Sequence, residues 1–167
     1  MNYDVIINSV ASIGVILSVI FLAYQIKKNT QAFKANYYDS LNNTNMEFLR
    51  QLVENRELGE LLERATSSWG DLNEDDKRTS NYLFIQLFRH WENMYYQNKM
   101  SLLDKWLWTS HMNTMIGYFH HQGTQEWWHH RKMAFAKDFR EFLDKTEKPN
   151  DLYPTIKDLP NITASEK

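Results

Sequence analysis

An uninterrupted apolar segment near the start of the chain constrains its fold most strongly. From Val5 to Tyr24 there are 20 consecutive residues without a charge, and the run SIGVILSVIFLAYQIKKNT carries its first charged side chains at Lys27 and Lys28. An α-helix rises about 1.5 Å per residue, so a segment of this length matches the roughly 30 Å hydrocarbon core of a bilayer. The sequence therefore predicts a single transmembrane helix over residues 4–26.

Two other structures are compatible with an apolar run of this length. A soluble protein would have to bury the helix on all sides, so the remaining helices of a small protein would have to surround it completely. A cleaved signal peptide has basic residues before the run and a small-residue cleavage site after it, whereas here Asp4 precedes the run and lysines follow it. The lysines place the following domain in the cytoplasm by the positive-inside rule, with a short N-terminus outside.

The predicted span carries small and polar residues mainly along one face. Small residues allow a second helix to approach closely, and amide side chains can hydrogen-bond across such a contact. We expect this face to favour self-association in the membrane, although single spans also expose Ser and Gly to lipid. Its residues, called here the polar span face, are Asn8, Ala11, Ser12, Gly14, Ser18 and Gln25.

The remainder of the chain has the composition of a helical protein. Only 5 Gly and 3 Pro occur in 167 residues, which favours helices over the turn-rich pattern of a sheet protein. We predict an all-α fold in which the span continues into a small cytoplasmic helical bundle over residues 27–147, followed by an extended, proline-containing tail over 148–167.

The net charge of −2 argues against a nucleic-acid partner. With no cysteine, the chain has no disulfide and no thiolate ligand or nucleophile.

Local signals give approximate helix boundaries after the span. The segment from Gln31 to Glu54 should continue the span as one long helix, because no Pro or Gly separates them, with Asn29 and Thr30 as the candidate site of a kink. This segment should carry a single buried stripe that includes Tyr38, Leu41, Phe48, Leu49, Leu52 and Val53. A short helix should end near the loop 67–72. Asn73 reads as the N-cap of a third helix that reaches about Lys99, because three acidic residues follow it. Shorter helices are expected over 103–118, 124–132 and 136–145.

Several residues resemble those of a known group of proteins. After the span come Gln25, Asn29 and Thr30, then Arg89, Glu92, Asn93, Tyr96 and Gln97, then Leu102, Leu103 and Asp104, then Trp127, Trp128 and Arg131 with Phe135, Phe139 and Phe142. This pattern, over roughly 5–144, resembles a widespread group of small, uncharacterised bacterial membrane-anchored helical proteins. The resemblance implies a cytoplasmic helical domain on one anchor in a bacterial inner membrane, and no specific activity. Ser101 stands where glycine is expected in that group.

A polar network is predicted on the third helix. Arg89, Glu92 and Tyr96 follow one another at helical spacing, and if this face is inside the domain its charges need partners. Arg131 is the expected partner from another helix, with Arg140 as the alternative. Such a network fixes helix packing, or in the functional interpretation it lines a pocket for a small ligand.

The phrase EWWHH suggests a metal site, but weakly. Glu126 and His129 lie on one side of a helix, as in di-iron bundles, although those sites need a second copy of the motif and further glutamates. Adjacent histidines such as His120 and His121 point about 100° apart and seldom bind one ion together. We therefore predict no cofactor, and keep Glu126 and His129 as the only candidate metal ligands.

Aromatic residues are the last feature with possible chemistry. They either form the core of a small domain, or line a ligand pocket, or contact lipid headgroups. No nucleophile elbow or phosphate-binding glycine loop is present, so no catalytic residue is predicted. The sequence favours a non-enzymatic, membrane-anchored interaction or scaffold protein that self-associates or binds a membrane protein. The alternative is a membrane-tethered protein that binds a metal or a small ligand.

Overall fold

A computed structural model describes residues 3–150, and this part of the chain is helical without strands. It contains six α-helices: α1 Tyr3–Glu54, α2 Arg56–Ser67, α3 Glu74–Lys99, α4 Lys105–Phe119, α5 Gln122–Arg131 and α6 Lys137–Asp144. A 3-10 turn, Lys132–Ala134, joins α5 to α6. The all-α fold is confirmed. Of the predicted tail, residues 151–167 lie outside the described residues.

The first helix is a single element of 52 residues. It contains no proline, and Gly14 is its only glycine, so nothing in its sequence interrupts the hydrogen-bond ladder after the apolar run. The expectation that one helix continues directly out of the apolar segment to Glu54 is confirmed. Asn55 ends it and caps α2, since its side-chain oxygen accepts a hydrogen bond from Leu58 N at 3.4 Å.

The single buried stripe predicted for the second half of α1 is wrong in part. Leu41 and Phe48 are buried, at 6% and 7% exposure, but Leu49 is 43% exposed and Val53 is 83% exposed. Tyr38 is also exposed. The reason is geometric: each residue is rotated by about 100° from the one before it, so Leu49 and Val53 lie on the flank of the face that Phe48 and Leu52 occupy.

The N-terminus of α3 agrees with its sequence signal. Asn73 Oδ1 accepts a hydrogen bond from Asp76 N at 2.8 Å, which satisfies one of the amides left unpaired at a helix start. Arg64 of α2 reaches Asp76 Oδ2 at 2.9 Å. The cap thus also joins α3 to the end of α2.

Helix α3 ends at a residue with a left-handed backbone conformation. Ser101 has φ 59°, and no other residue in the range 3–150 has a positive φ. Leu102 N donates to Gln97 O at 3.0 Å and Ser101 N donates to Asn98 O at 2.9 Å, the hydrogen-bond pair of a Schellman motif. A serine thus occupies the left-handed position that glycine fills most easily.

The chain divides into two units, Met1–Asn43 and Thr44–Lys167. In the second unit the core is aromatic and centres on Phe88 of α3, which is fully buried. Six rings lie around it with centroid distances of 4.9–6.5 Å: Phe84, Trp91, Phe119, Trp127, Trp128 and Phe135. Helices α3, α4 and α5 and the chain after α5 all contribute to this one cluster.

Helices α2 and α5 cross with their backbones in close contact. A Cβ atom on Gly123 would lie 2.0 Å from Ala65 O and 2.8 Å from the amide nitrogens of Ser68 and Trp69. Ala65 itself is completely buried. Because only a residue without a side chain fits there, Gly123 fixes the distance between the two helices.

Candidate functional site

The N-terminal part of α1 is the feature with the clearest functional meaning. Its most apolar 18-residue window has a mean hydropathy of 1.4, and 0% of that window is buried. Large apolar side chains such as Ile16, Leu17 and Phe21 are each about 60% exposed. A core helix of a soluble protein would be covered, so this apolar helix is a candidate membrane span; a signal sequence would also have its length and composition.

The two serine hydroxyls of the polar span face have hydrogen-bond partners. Ser12 Oγ donates to Asn8 O and Ser18 Oγ donates to Gly14 O, each at 2.8 Å. Each hydroxyl is therefore satisfied within its own helix, which lowers the cost of placing it in lipid. A Cβ on Gly14 would meet nothing within 4 Å. Asn8 and Ala11 are exposed and Gln25 is half-buried, so this face is open along most of its length.

Arg89 and Glu92 form the centre of the predicted polar network. Arg89 Nη1 lies 2.5 Å from Glu92 Oε2, and Glu92 is only 7% exposed. The other oxygen, Glu92 Oε1, accepts a hydrogen bond from Ala136 N at 2.7 Å, and Arg89 Nη2 donates to Ala134 O at 2.6 Å. The pair therefore holds the segment between α5 and α6 through its backbone.

The other two predicted members of the network lie elsewhere. Tyr96 packs against the ring of Tyr95 with centroids 5.4 Å apart. Arg131 is exposed, and the charged pair contacts main-chain atoms of Ala134 and Ala136 in its place. Arg89 also lies over the ring of Phe135, 4.9 Å from the centroid. This arrangement stabilises the packing of α6, and both oxygens of the buried Glu92 carboxylate have partners within the domain.

Glu126 and His129 are not arranged as a metal site. Glu126 Oε2 accepts a hydrogen bond from Gly70 N and Glu126 Oε1 accepts one from Gln122 Nε2, both at 2.8 Å. His129 is exposed beside His130, with ring centroids 5.4 Å apart. Among residues 3–150, no three His, Cys, Asp or Glu side chains are grouped so that they could hold a metal ion. Glu126 instead fixes the loop between α2 and α3.

Three of the six tryptophans, Trp91, Trp127 and Trp128, are buried in the core, and Trp69 and Trp108 are half-buried. The N–H groups of Trp127 and Trp128 have partners. Trp127 Nε1 donates to Asn81 Oδ1 at 3.2 Å, and Trp128 Nε1 donates to Asp144 Oδ1 at 2.9 Å. Burial alone would raise the pKa of Asp144, but hydrogen bonds from Trp128 and Lys132 hold it below its ordinary value. Trp106, at 68% exposure, is the exception.

A small pocket in the second unit has a volume of about 20 Å³, room for roughly one water molecule. It is lined by Thr44, Asn45, Phe48, Gln86, Leu87 and His90. Burial lowers the pKa of His90, and the nearby His111 lowers it further. The pocket therefore lies beside a histidine that favours its neutral form, and it is too small for a cofactor.

The sequence singled out Glu126 and Arg89, but it did not identify the groups that they bind. Gly70 lies 56 residues before Glu126, and Ala134 lies 45 residues after Arg89. Gly123 was also missed as a packing residue, although a glycine inside a helical pattern is a recognised sign of close approach.

Comparison with known proteins adds no assignment: no protein-family model, no curated protein and no solved structure matches this chain. Function therefore has to be argued from the apolar helix and the domain themselves.

Proposed function

We propose that the protein is a non-enzymatic, membrane-anchored interaction protein. The N-terminal half of α1 spans a bacterial inner membrane, and the helical unit that starts at Thr44 lies in the cytoplasm, where it acts as an oligomer or holds a partner. The observation that carries this proposal is the exposure of the apolar helix: 0% of its window is buried, whereas the second unit has its own aromatic core. In water such a surface is unfavourable by about 25 cal/mol per Å² of exposed apolar area.

Membrane insertion is tested by fractionation of the full-length protein. It should stay with the membrane pellet through an alkaline carbonate wash and leave it only in detergent. A Leu17→Arg variant should move substantially to the supernatant, because an arginine at the centre of a span costs about 2.5–3.5 kcal/mol. Leu17→Ala is the matched control and should stay in the pellet. Wild-type protein in the detergent-free supernatant would refute the anchor.

Orientation is tested with single cysteines, which the cysteine-free chain makes straightforward. In intact cells with a permeabilised outer membrane, a membrane-impermeant maleimide should label Tyr3→Cys and leave Glu60→Cys unlabelled until the inner membrane is opened. This expectation rests on Lys27, Lys28 and Lys34 after the span. Labelling of Glu60→Cys in intact cells would show that the protein has the opposite orientation.

Self-association through the polar span face is tested by disulfide formation in native membranes. Ser18→Cys should form a dimer under mild oxidation, because small residues allow the helices to approach closely there. Ile20→Cys, on a different face of the same turn, is the control and should cross-link much less. Equal yields from both positions would mean random collision and would contradict an interface on this face.

The proposal includes no catalysis and no metal. The carboxylates that suggested a ligand pocket and a metal site, Glu92 and Glu126, accept hydrogen bonds from within the domain. The interaction function is therefore assigned to the outside of the molecule.

A further inference from the structure

The second half of α1 has an apolar stripe that the helical unit leaves exposed. Met46 is 49% exposed, Leu49 is 43% exposed and Val53 is 83% exposed. The three residues, called here the outer stripe, are separated by three and then four positions, so they lie along one side of the helix. On the adjacent side, Phe48 is buried at 7% exposure. Residues 44–54 thus use one face for the core of their own unit and present a second apolar face.

The spacing of the outer stripe is that of a coiled-coil seam. In a heptad repeat, apolar residues at the first and fourth positions meet those of a second helix. Met46 and Val53 take the first position in successive heptads, and Leu49 takes the fourth. Glu47 and Arg50, which form an ion pair with each other on the helix surface, lie on one side of the stripe. The covered face with Phe48 and Leu52 lies on the other side. The exposed apolar surface is therefore only one seam wide, and such a surface fits another helix better than it fits a lipid surface.

The same seven-residue register leads back to the polar span face. Counting back from Val53 in steps of seven gives Met46, Asp39, Ala32, Gln25, Ser18 and Ala11. The last three belong to the polar span face, and α1 is one helix over this whole length. A strict seven-residue repeat stays in register between two helices when they wind around each other with a left-handed supercoil. The register therefore connects the polar span face to the outer stripe, two surfaces of α1 that are largely exposed.

We propose that the outer stripe binds the outer stripe of a second copy of this chain, as a short parallel helix pair that continues the contact between the spans. The inference rests on the proposed function, because membrane insertion gives both copies the same orientation. Parallel copies related by a two-fold axis place each seam residue opposite itself. A copy of α1 is the occupant that the register specifies, since it carries the same spacing at the same height.

Two features define how strong this contact is. Three side chains form a small surface, far below the 800 Å² or so per partner of a stable soluble dimer, so the pair depends on the concentration that the membrane anchor provides. Asp39 falls in the same register and places two carboxylates against each other. The seam is therefore interrupted between the span and the outer stripe, and removal of the Asp39 charge should strengthen it.

The test is a set of single-cysteine variants of the full-length protein, oxidised in native membranes. Leu49→Cys and Val53→Cys should form a disulfide dimer several-fold more than Glu47→Cys and Glu54→Cys, which are exposed on other faces of the same turns. In the Val53→Cys background, Asp39→Ala should raise the yield further. Tryptophan fluorescence checks folding, because all six tryptophans lie after residue 68.

The outcomes separate this inference from the proposed function. Strong dimers at Ser18→Cys, Leu49→Cys and Val53→Cys support both. A strong dimer at Ser18→Cys with outer-stripe yields no higher than the Glu47→Cys control overturns the stripe contact and leaves the span contact intact. A disulfide from Val53→Cys to a different protein also overturns it. No dimer at any position overturns self-association as a whole.

Discussion

Replacement of Gly123 by alanine should destabilise the helical unit severely. The new Cβ would lie 2.0 Å from Ala65 O, about 1 Å inside the shortest contact that Cβ atoms make, and all three close neighbours are backbone atoms. No side chain can rotate away, so α5 would have to move away from α2. Overpacking of this kind costs about 1–3 kcal/mol or more, partly offset by the roughly 0.5–1 kcal/mol that alanine gains over glycine within a helix. We expect a net loss of about 2 kcal/mol.

The measurement is the unfolding of full-length protein in detergent, followed by tryptophan fluorescence, which reports the second unit alone. A loss of about 2 kcal/mol should lower its midpoint temperature by about 10 °C. Gly59→Ala is the matched control: its Cβ would lie 3.5 Å from the nearest atom, Leu52 O, so this variant should be slightly more stable than wild type. A midpoint for Gly123→Ala equal to that of Gly59→Ala would refute the close crossing of α2 and α5.

Three further predictions concern single groups in the same unit. Ser101→Gly should raise the free energy of unfolding by up to about 1 kcal/mol, because a residue at φ 59° favours glycine; a decrease would contradict the left-handed cap. Glu92→Gln should cost about 1.5–3 kcal/mol, because it removes a buried partner of Arg89, whereas Glu60→Gln, at an exposed ion pair, should change stability by less than about 0.5 kcal/mol. The folded-state pKa of His90 is lowered below 6.5, so as pH falls the unfolded chain takes up a proton that the folded chain resists. Stability should therefore decline as the pH falls through about 6.5, the ordinary pKa of the unfolded histidine, and His90→Gln should flatten that decline in urea titrations.

Local chemistry made most of the fold predictable from the sequence. The N-cap at Asn73 depends on contacts within a few residues, so the chain near it contains the whole signal. The left-handed position at Ser101 carries no such signal, because serine stands there and not glycine. The long helix α1 follows from an apolar run with no proline. Leu49 and Val53 were wrongly assigned to the buried stripe, because the pattern gives the period of an apolar face but does not say which of two adjacent faces the rest of the protein covers.

The partners of the polar groups could not be predicted in the same way. Glu126 accepts a hydrogen bond from a main-chain amide at Gly70, and Arg89 donates to a carbonyl at Ala134. Every residue except proline offers a main-chain amide, and every residue a carbonyl, so side-chain identity does not mark them as partners. Arg131 was the expected partner because its charge was visible in the sequence. The charge pattern therefore predicted a network of side chains, whereas in the structure the charged pair binds main-chain atoms.

A last prediction follows from the seven-residue register that joins the polar span face to the outer stripe. It depends on the angle between these two surfaces around the helix axis and not on any one side chain. Each residue inserted into a helix rotates everything after it by about 100°. Two alanines inserted between Gln31 and Ala32 would rotate the outer stripe by about 200° relative to the span, whereas seven would rotate it by only about 20° from its original direction. If both surfaces contact the same second copy, Val53→Cys should lose its disulfide dimer with the two-residue insertion and keep it with the seven-residue insertion. Ser18→Cys should cross-link in both. Equal Val53→Cys yields in the two insertion variants would mean that the stripe associates independently of the span, and one continuous helix pair would then be the wrong description.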